Sequence, residues 1–218
     1  MKLKIGILLL VAITVAFSGC KLHRGIAGSG NRKTEKRELK SFNAIDTNGG
    51  YEINVTCQKP ASFEIEADDN ILPLIKTEVR DGILFVTNDQ DYHSSRSTAL
   101  RITIPELNSL SSHGAAEVKI ADANAGDLKL ASTGADSIDA AGKAKSVTIS
   151  STGAGNIDTS KLTAEKAKVE ISGAANVEVY ASDQLDVTVS GVGSVTYSGN
   201  PKVVNKNVSG IGSVNPKN

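Results

Sequence analysis

Three carboxylates in the second half of the chain stand where stacked strands could bring them together. Asp139, Asp158 and Glu178 each follow an apolar residue (Ile138, Ile157, Val177), and each lies five residues after a glycine. Asp136 is a fourth acid in the same stretch. Carboxylates on neighbouring coils are what a polysaccharide lyase or hydrolase needs, one to give a proton and one to act as base or nucleophile. The chain supplies little to support them. No arginine follows Arg101, and His113 is the only histidine of that half. His113 precedes Gly114 where Thr133 and Thr152 precede the next two corners, a place for a turn decoration or an end cap. Acids that alternate with Ile and Val are the pattern of a solvated strand face. There is no CxxC, no Cys/His cluster at metal spacing and no Ca²⁺-binding nonapeptide. The expectation is no catalytic residue, no metal and no cofactor. A carbohydrate-cleaving enzyme using Asp139 and Asp158 is the alternative.

The two cysteines read differently. Met1-Lys-Leu-Lys4 is a short basic start, and Ile5–Phe17 is an apolar run too short to span a bilayer. It ends in Ala16-Phe-Ser-Gly-Cys20, small residues before a cysteine as in a bacterial lipobox, with Phe17 in place of the usual Leu or Val. This makes residues 1–19 a lipoprotein signal peptide and Cys20 the lipidated, palmitate-bearing N-terminus, the membrane partner of the chain. An ordinary secretory signal is the alternative. Residues 20–36 are polar and basic and read as a flexible tether. Cys57 shares a strand face with Ile53 and Val55 and reads as a small buried hydrophobe. Removing Lys2 and Lys4 with the leader leaves 22 basic residues against 24 acidic ones, so no basic stripe suggests nucleic acid.

The elements that must position these residues come from a repeat. Gly114, Gly134, Gly153, Gly173, Gly191 and Gly210 lead six similar units, 20, 19, 20, 18 and 19 residues apart. Alternating apolar pairs flank each glycine, as with Val169/Ile171 before Gly173 and Val177/Val179 after it. Period-two alternation in Val- and Ile-rich runs is the strand signal. One unit cannot bury its own apolar face, so the units must stack. The fold expected is all-β: a parallel β-helix-like solenoid whose coils lie about 4.8 Å apart. A propeller blade needs twice the period, and a leucine-rich repeat needs a Leu/Asn ladder that is missing; antiparallel hairpins are the remaining option. Ile138, Ile157, Val177, Val195 and Val214 should form one interior column, and Val147, Val169 and Val187 another, with a bulge near Ser150–Thr152. The corner glycines suit a positive φ or a crowded backbone, and Gly142, in a return segment, should matter less.

The first half is less regular. Gly49-Gly50 stands between Phe42/Ile45 and Ile53/Val55, giving the same strand–glycine–strand order with bulkier residues to cap one end of the core. Asp69–Ile75 should hold one helical turn, Asp81-Gly82 a tight turn, and Asn88–Ser97 a polar loop. The regular stack should begin at Arg101-Ile-Thr-Ile-Pro105. Four stretches resemble the bacterial head GIN domain family of auto-transporter adhesins: Arg37–Ile45, Asn48–Ile53, Glu66–Leu72 and Ile102–Leu107, joined by the Ser-Gly-Ala-Gly-like corners. The resemblance covers about residues 37–215, which are read as the solenoid domain. It implies a β-helix-like fold. A tethered, weakly charged solenoid with no visible chemistry is read by default as a binding or scaffold protein of the bacterial cell envelope, toward an envelope, glycan or protein ligand.

Overall fold

The computed structural model describes residues 25–217. The leader expected over residues 1–19 and the lipidation site Cys20 lie outside the described residues. Strands follow as β1 (Ile26–Ala27), β2 (Arg32–Lys36), β3 (Ala44–Thr47), β4 (Tyr51–Thr56), β5 (Ser62–Asp68), β6 (Ile75–Arg80), β7 (Ile83–Asn88), β8 (Tyr92–His93) and β9 (Thr98–Thr103). The second half holds β10 (Ser109–Ser112), β11 (Glu117–Ser132), β12 (Ala135–Ser151), β13 (Ala154–Ile171), β14 (Ala174–Tyr180), β15 (Gln184–Val189), β16 (Val192–Ser198), β17 (Val203–Val208) and β18 (Ile211–Pro216). One 3-10 turn, Leu72–Leu74, interrupts them.

The chain forms a β-solenoid of about five turns. Each turn has two sheet faces joined at the glycine corner. After the corner run β4, the first part of β11, β12 and β13, then β14, β16 and β18, all parallel. Before the corner run β3, β10, the last parts of β11, β12 and β13, then β15 and β17, again parallel. The long strands bend where the register shifts, between Ile120 and Ala123 and between Asp139 and Ala141.

One interior column runs Ile53, Val118, Ile138, Ile157, Val177, Val195, Val214, without a break in register. All of its members are buried. The other column differs from the expected one. Val169 and Val187 stack on Ile149, whereas Val147 stacks on Ala167 and Leu185. No bulge is needed at Ser150–Thr152; the difference in repeat length is taken up where the long strands bend and between β14 and β15. Each buried Val or Ile contributes roughly 1.5–3 kcal/mol, and a one-residue slip would expose every one of them.

The corners are glycine for a reason other than a left-handed backbone. None of the six leading glycines has a φ in that region. Instead a Cβ on Gly114 would strike the carbonyl of Gly49, one on Gly134 that of Gly114, and so on through Gly153, Gly173, Gly191 and Gly210. The backbone of each turn rests directly on the one beneath. Gly142, expected to be the tolerant position, has φ +134° and its Cβ would meet the Ala123 main chain.

The base is closed out of sequence order. β7 pairs beneath β3 and β9 beneath β4, so residues 83–103 form the turn below residues 44–56, while β10 and β11 continue above. The regular stack therefore does not begin at Arg101; β9 belongs to the lowest turn. Antiparallel strands finish this pole: β6 pairs with β7, β5 with β9, and β2 with β5. The β6–β7 hairpin turns through Asp81 and Gly82, both with positive φ (52° and 76°), the geometry that matches strand twist. Phe63, Ile65, Leu84, Leu100 and Tyr51 fill the core there.

The stretch 26–36, expected to belong to a tether, carries two strands. β1 pairs with β8 inside the loop expected over Asn88–Ser97, and β2 pairs with β5. Their apolar content is low because they are edge strands wet on at least one side, so hydrophobic alternation does not mark them. Polar bonds hold them instead. Ser29 Oγ donates to Asp69 at 2.6 Å, Asn31 Nδ2 to Asp69 at 2.7 Å, and Arg32 Nη2 to the carbonyls of Glu66 and Ser97, both at 2.9 Å.

Candidate functional site

The residues with chemical potential fall on the outer surface of the face that follows the corner. In register, Lys119, Asp139, Asp158, Glu178, Thr196 and Asn215 form one outward row. Two positions earlier, Glu117, Ser137, Asn156, Asn176, Ser194 and Ser213 form a second. Rows arise because in-register stacking places equivalent positions about 4.8 Å apart. The second row is knitted by side chains: Asn176 Nδ2 donates to Asn156 at 3.3 Å and Ser194 Oγ to Asn176 at 2.8 Å.

Asp139 and Asp158 are thus brought together as the sequence spacing suggests. They border a shallow concavity of about 230 Å³ with Lys119 and Lys161, floored by Ala121, Ala140 and Ala141. Small residues at the strand bend make the hollow. Burial acts to raise the Asp158 pKa, but the Ser160 side-chain and backbone bonds, helped by Lys217 and Lys161, overcome it and hold the carboxyl below its ordinary value. Ser160 N–H reaches Asp158 Oδ1 at 2.9 Å. A carboxylate fixed in its charged form does not serve as a proton donor near neutrality. Glu178 is tied to Lys217 at 2.7 Å, and Lys119 to Glu117 at 2.6 Å. Among the described residues no group of His, Cys, Asp and Glu is disposed to hold a metal ion.

Asp136 has a different office. It is 3% exposed and points inward. Ser112 Oγ donates to it at 2.8 Å, Ser132 Oγ at 2.6 Å and the Ala116 N–H at 2.9 Å. Ser112 and Ser132 belong to an interior column that is hydroxylic through Thr47, Ser112, Ser132 and Ser151 and apolar from Ile171 onward. One carboxylate thus satisfies three buried donors. Sequence reasoning placed Asp136 with the surface acids; the sign that it differs is its even spacing from Ile138, which puts both on the inner face.

The remaining candidates, His113 and Cys57, lie apart from these rows, and Tyr180 and Tyr197 are the two tyrosines of the second half. His113 lies at a corner, its Nδ1 3.0 Å from Thr133 Oγ1 and its Nε2 3.2 Å from Asp46 Oδ2. Cys57 is buried, and burial, reinforced by Asp122 and opposed by a backbone bond from Leu107, lifts its thiol from 9.0 to about 11. Tyr180 is half-buried beside Glu178 on the outer surface. Tyr197 packs against the core, with Lys206 Nζ 5.1 Å from its ring centre.

The fold has counterparts. The family described as "putative auto-transporter adhesin, head GIN domain" matches residues 41–201. No curated protein matches the chain. Among solved structures, a "putative adhesin" from Bacteroides fragilis superposes with a TM-score of 0.66 at 25% identity, covering 88% of this chain and 100% of that one. A "putative lipid binding protein" from Parabacteroides distasonis superposes at 0.52 with 19% identity, over 88% of this chain and 99% of that one, a likeness of fold.

Proposed function

The chain belongs to the head GIN domain family of auto-transporter adhesins, and from that footing we propose that it is a non-catalytic binding module of the bacterial cell envelope, anchored by lipid at Cys20. The polar face made by the first parts of β11–β13 with β14, β16 and β18 is the binding surface. The observation that carries the reading is the in-register pair of rows running through Asn156/Asn176 and Asp158/Glu178, a repeating set of donors and acceptors. Such a face suits an extended ligand, each turn meeting one segment of it. The path of the chain agrees with an anchor at one pole. β1 lies against β8 at the closed base, while β17 and β18 end the stack at the other pole. A lipid on Cys20 would hold the base toward the membrane and the regular turns away from it.

Two measurements test this. Mass spectrometry of membrane-extracted protein should find acylated Cys20 as the first residue, and Cys20→Ala protein should leave the membrane fraction; a chain beginning elsewhere removes the anchor. Protein starting at Lys21 should bind one member of a panel of glycans and envelope components. Asn176→Arg, a change at an exposed position, should lower that binding at least tenfold without shifting the unfolding midpoint. Unchanged binding would move the site off this face.

A further inference from the structure

One residue leads the chain into each glycine corner. In the turn of β3 and β4 it is Asn48; in register above it stand His113, Thr133 and Thr152, and serine thereafter. Asn48 is exposed, and it opens the only Asn-Gly pair of the chain. The glycine after it is fixed by the fold. Gly49 has φ +154°, and a Cβ there would lie 2.8 Å from both Asn88 Nδ2 and the Tyr51 ring. Corner packing thus compels the one successor that leaves an asparagine amide unshielded.

Such a pair reacts with itself. Once its proton has passed to solvent base, the Gly49 main-chain nitrogen can attack the side-chain carbonyl carbon of Asn48. A C–N bond forms, the amide nitrogen leaves as ammonia, and a succinimide ring results. Water then opens the ring. Breaking the bond from nitrogen to the side-chain carbonyl leaves aspartate. Breaking the bond to the main-chain carbonyl leaves isoaspartate, in which the chain runs through the side chain and is one methylene longer. Folding permits the attack where the nitrogen is free and no side chain covers it. The Gly49 N–H donates to no described residue, and Gly50 beyond it is exposed. Other asparagines are protected. The Ala44 N–H that follows Asn43 donates to Gly82 at 3.2 Å. Asn156 and Asn176 are followed by Ile157 and Val177, buried β-branched residues inside β13 and β14.

We infer that Asn48–Gly49 is a modification site, where the chain converts spontaneously to isoaspartate and aspartate, and that it ages the protein at the joint between the base and the regular turns. The dipeptide is held from both sides. Asn48 N–H donates down to the Val86 carbonyl at 2.9 Å, and the Gly49 carbonyl accepts from Ala115 N–H above it at 3.2 Å. Gly114 rests on the Gly49 main chain with no room for a methyl group between them. A methylene inserted between these two bonded points must move Gly49 from beneath Gly114 or release one of the bonds. Aspartate brings the same added charge and no added length, so the isoaspartyl form is the one that loosens the joint.

Incubating folded protein that starts at Lys21 in mildly alkaline buffer tests it. Fragmentation mass spectrometry should find the one mass unit that separates a carboxyl from an amide at Asn48 before any such gain at Asn156 or Asn176, and electron-transfer fragmentation should show isoaspartate there. Asn48→Ser, which takes the residue type of the upper turns, should keep its mass and its unfolding midpoint through the same incubation. The isoaspartyl form, separated by its added charge, should unfold at a lower urea concentration than Asn48→Asp protein. An intact Asn48 in the folded protein while urea-unfolded chain converts, or gains at Asn156 and Asn176 as fast as at Asn48, would overturn the site. An isoaspartyl form that unfolds together with Asn48→Asp would overturn its placement at a joint. None of these results bears on ligand binding by the polar face.

Discussion

Replacing Gly153 with alanine isolates one methyl group at one of the tightest places in the stack. The Cβ would lie against the carbonyl oxygen, carbon and nitrogen of Gly134, all main chain, so no side chain can rotate out of the way. Restoring an ordinary contact of 3.4 Å requires the two turns to part locally by well over an ångström. The bonds that flank the corner, Ala154 N–H to Gly134 at 2.8 Å and Thr152 N–H to Ser132 at 2.9 Å, must stretch or break. Two net hydrogen bonds plus overpacking strain come to about 2–5 kcal/mol. That is a large share of the roughly 5–15 kcal/mol that holds a domain together. In a domain of this size it corresponds to a fall in Tm of roughly 5–15 °C. Gly126→Ala is the control: no atom lies within 4 Å of its Cβ and its φ is ordinary. It should shift stability by no more than about 0.5 kcal/mol, toward greater stability if at all. Gly142→Ala should fall with Gly153→Ala, since it combines positive φ with a main-chain clash. Urea unfolding followed by far-UV circular dichroism ranks the three. If Gly153→Ala and Gly126→Ala differ by less than about 1 kcal/mol, the turns yield at the corner and the steric account of the glycine column is wrong.

Asp136→Leu should destabilise by about 2–4 kcal/mol, because it strands three buried donors, while Asp136→Asn should lose less since its amide oxygen still accepts; equal urea midpoints for Leu and wild type would refute the network's role. Cys57 should resist thiol reagents at pH 8 until the protein unfolds. Because folding raises its pKa from 9.0 to about 11, its contribution to stability is complete below pH 9 and lost as pH rises to about 11. Cys57→Ala should flatten that part of the pH–stability curve, and an unchanged curve would assign the loss to other groups.

The solenoid was readable because one signal was written many times. Ile138, Ile157, Val177, Val195 and Val214 keep a fixed distance from their glycines, so a single register accounts for all of them. The neighbouring column misleads because its residues are counted backward across segments of unequal length. Val147 takes its partner from the strand pairing of β12 with β13, not from its distance to Gly153. β2 escaped because none of its residues is fully buried, so it has no apolar alternation to show. Its bonds from Arg32 to the Glu66 and Ser97 carbonyls are long-range and appear only once the base is folded. The row of Asp139, Asp158 and Glu178 was visible from spacing alone, while the burial of Asp136 depends on the face it takes.

The base built out of order makes assembly directional. Residues 44–56 are sandwiched between a turn that comes later in the chain, 83–103, and the next one up, 109–121. No ordered platform exists until the chain has been made through about Thr103 and has doubled back beneath itself. From there each new turn needs only the one already laid down, and it adds as a layer adds to a growing crystal face. Loss of the seed should cost the whole structure, whereas loss of the last turn should cost one layer, so the length of the rod is set in steps of about 4.8 Å by how many whole turns the gene supplies after its foundation.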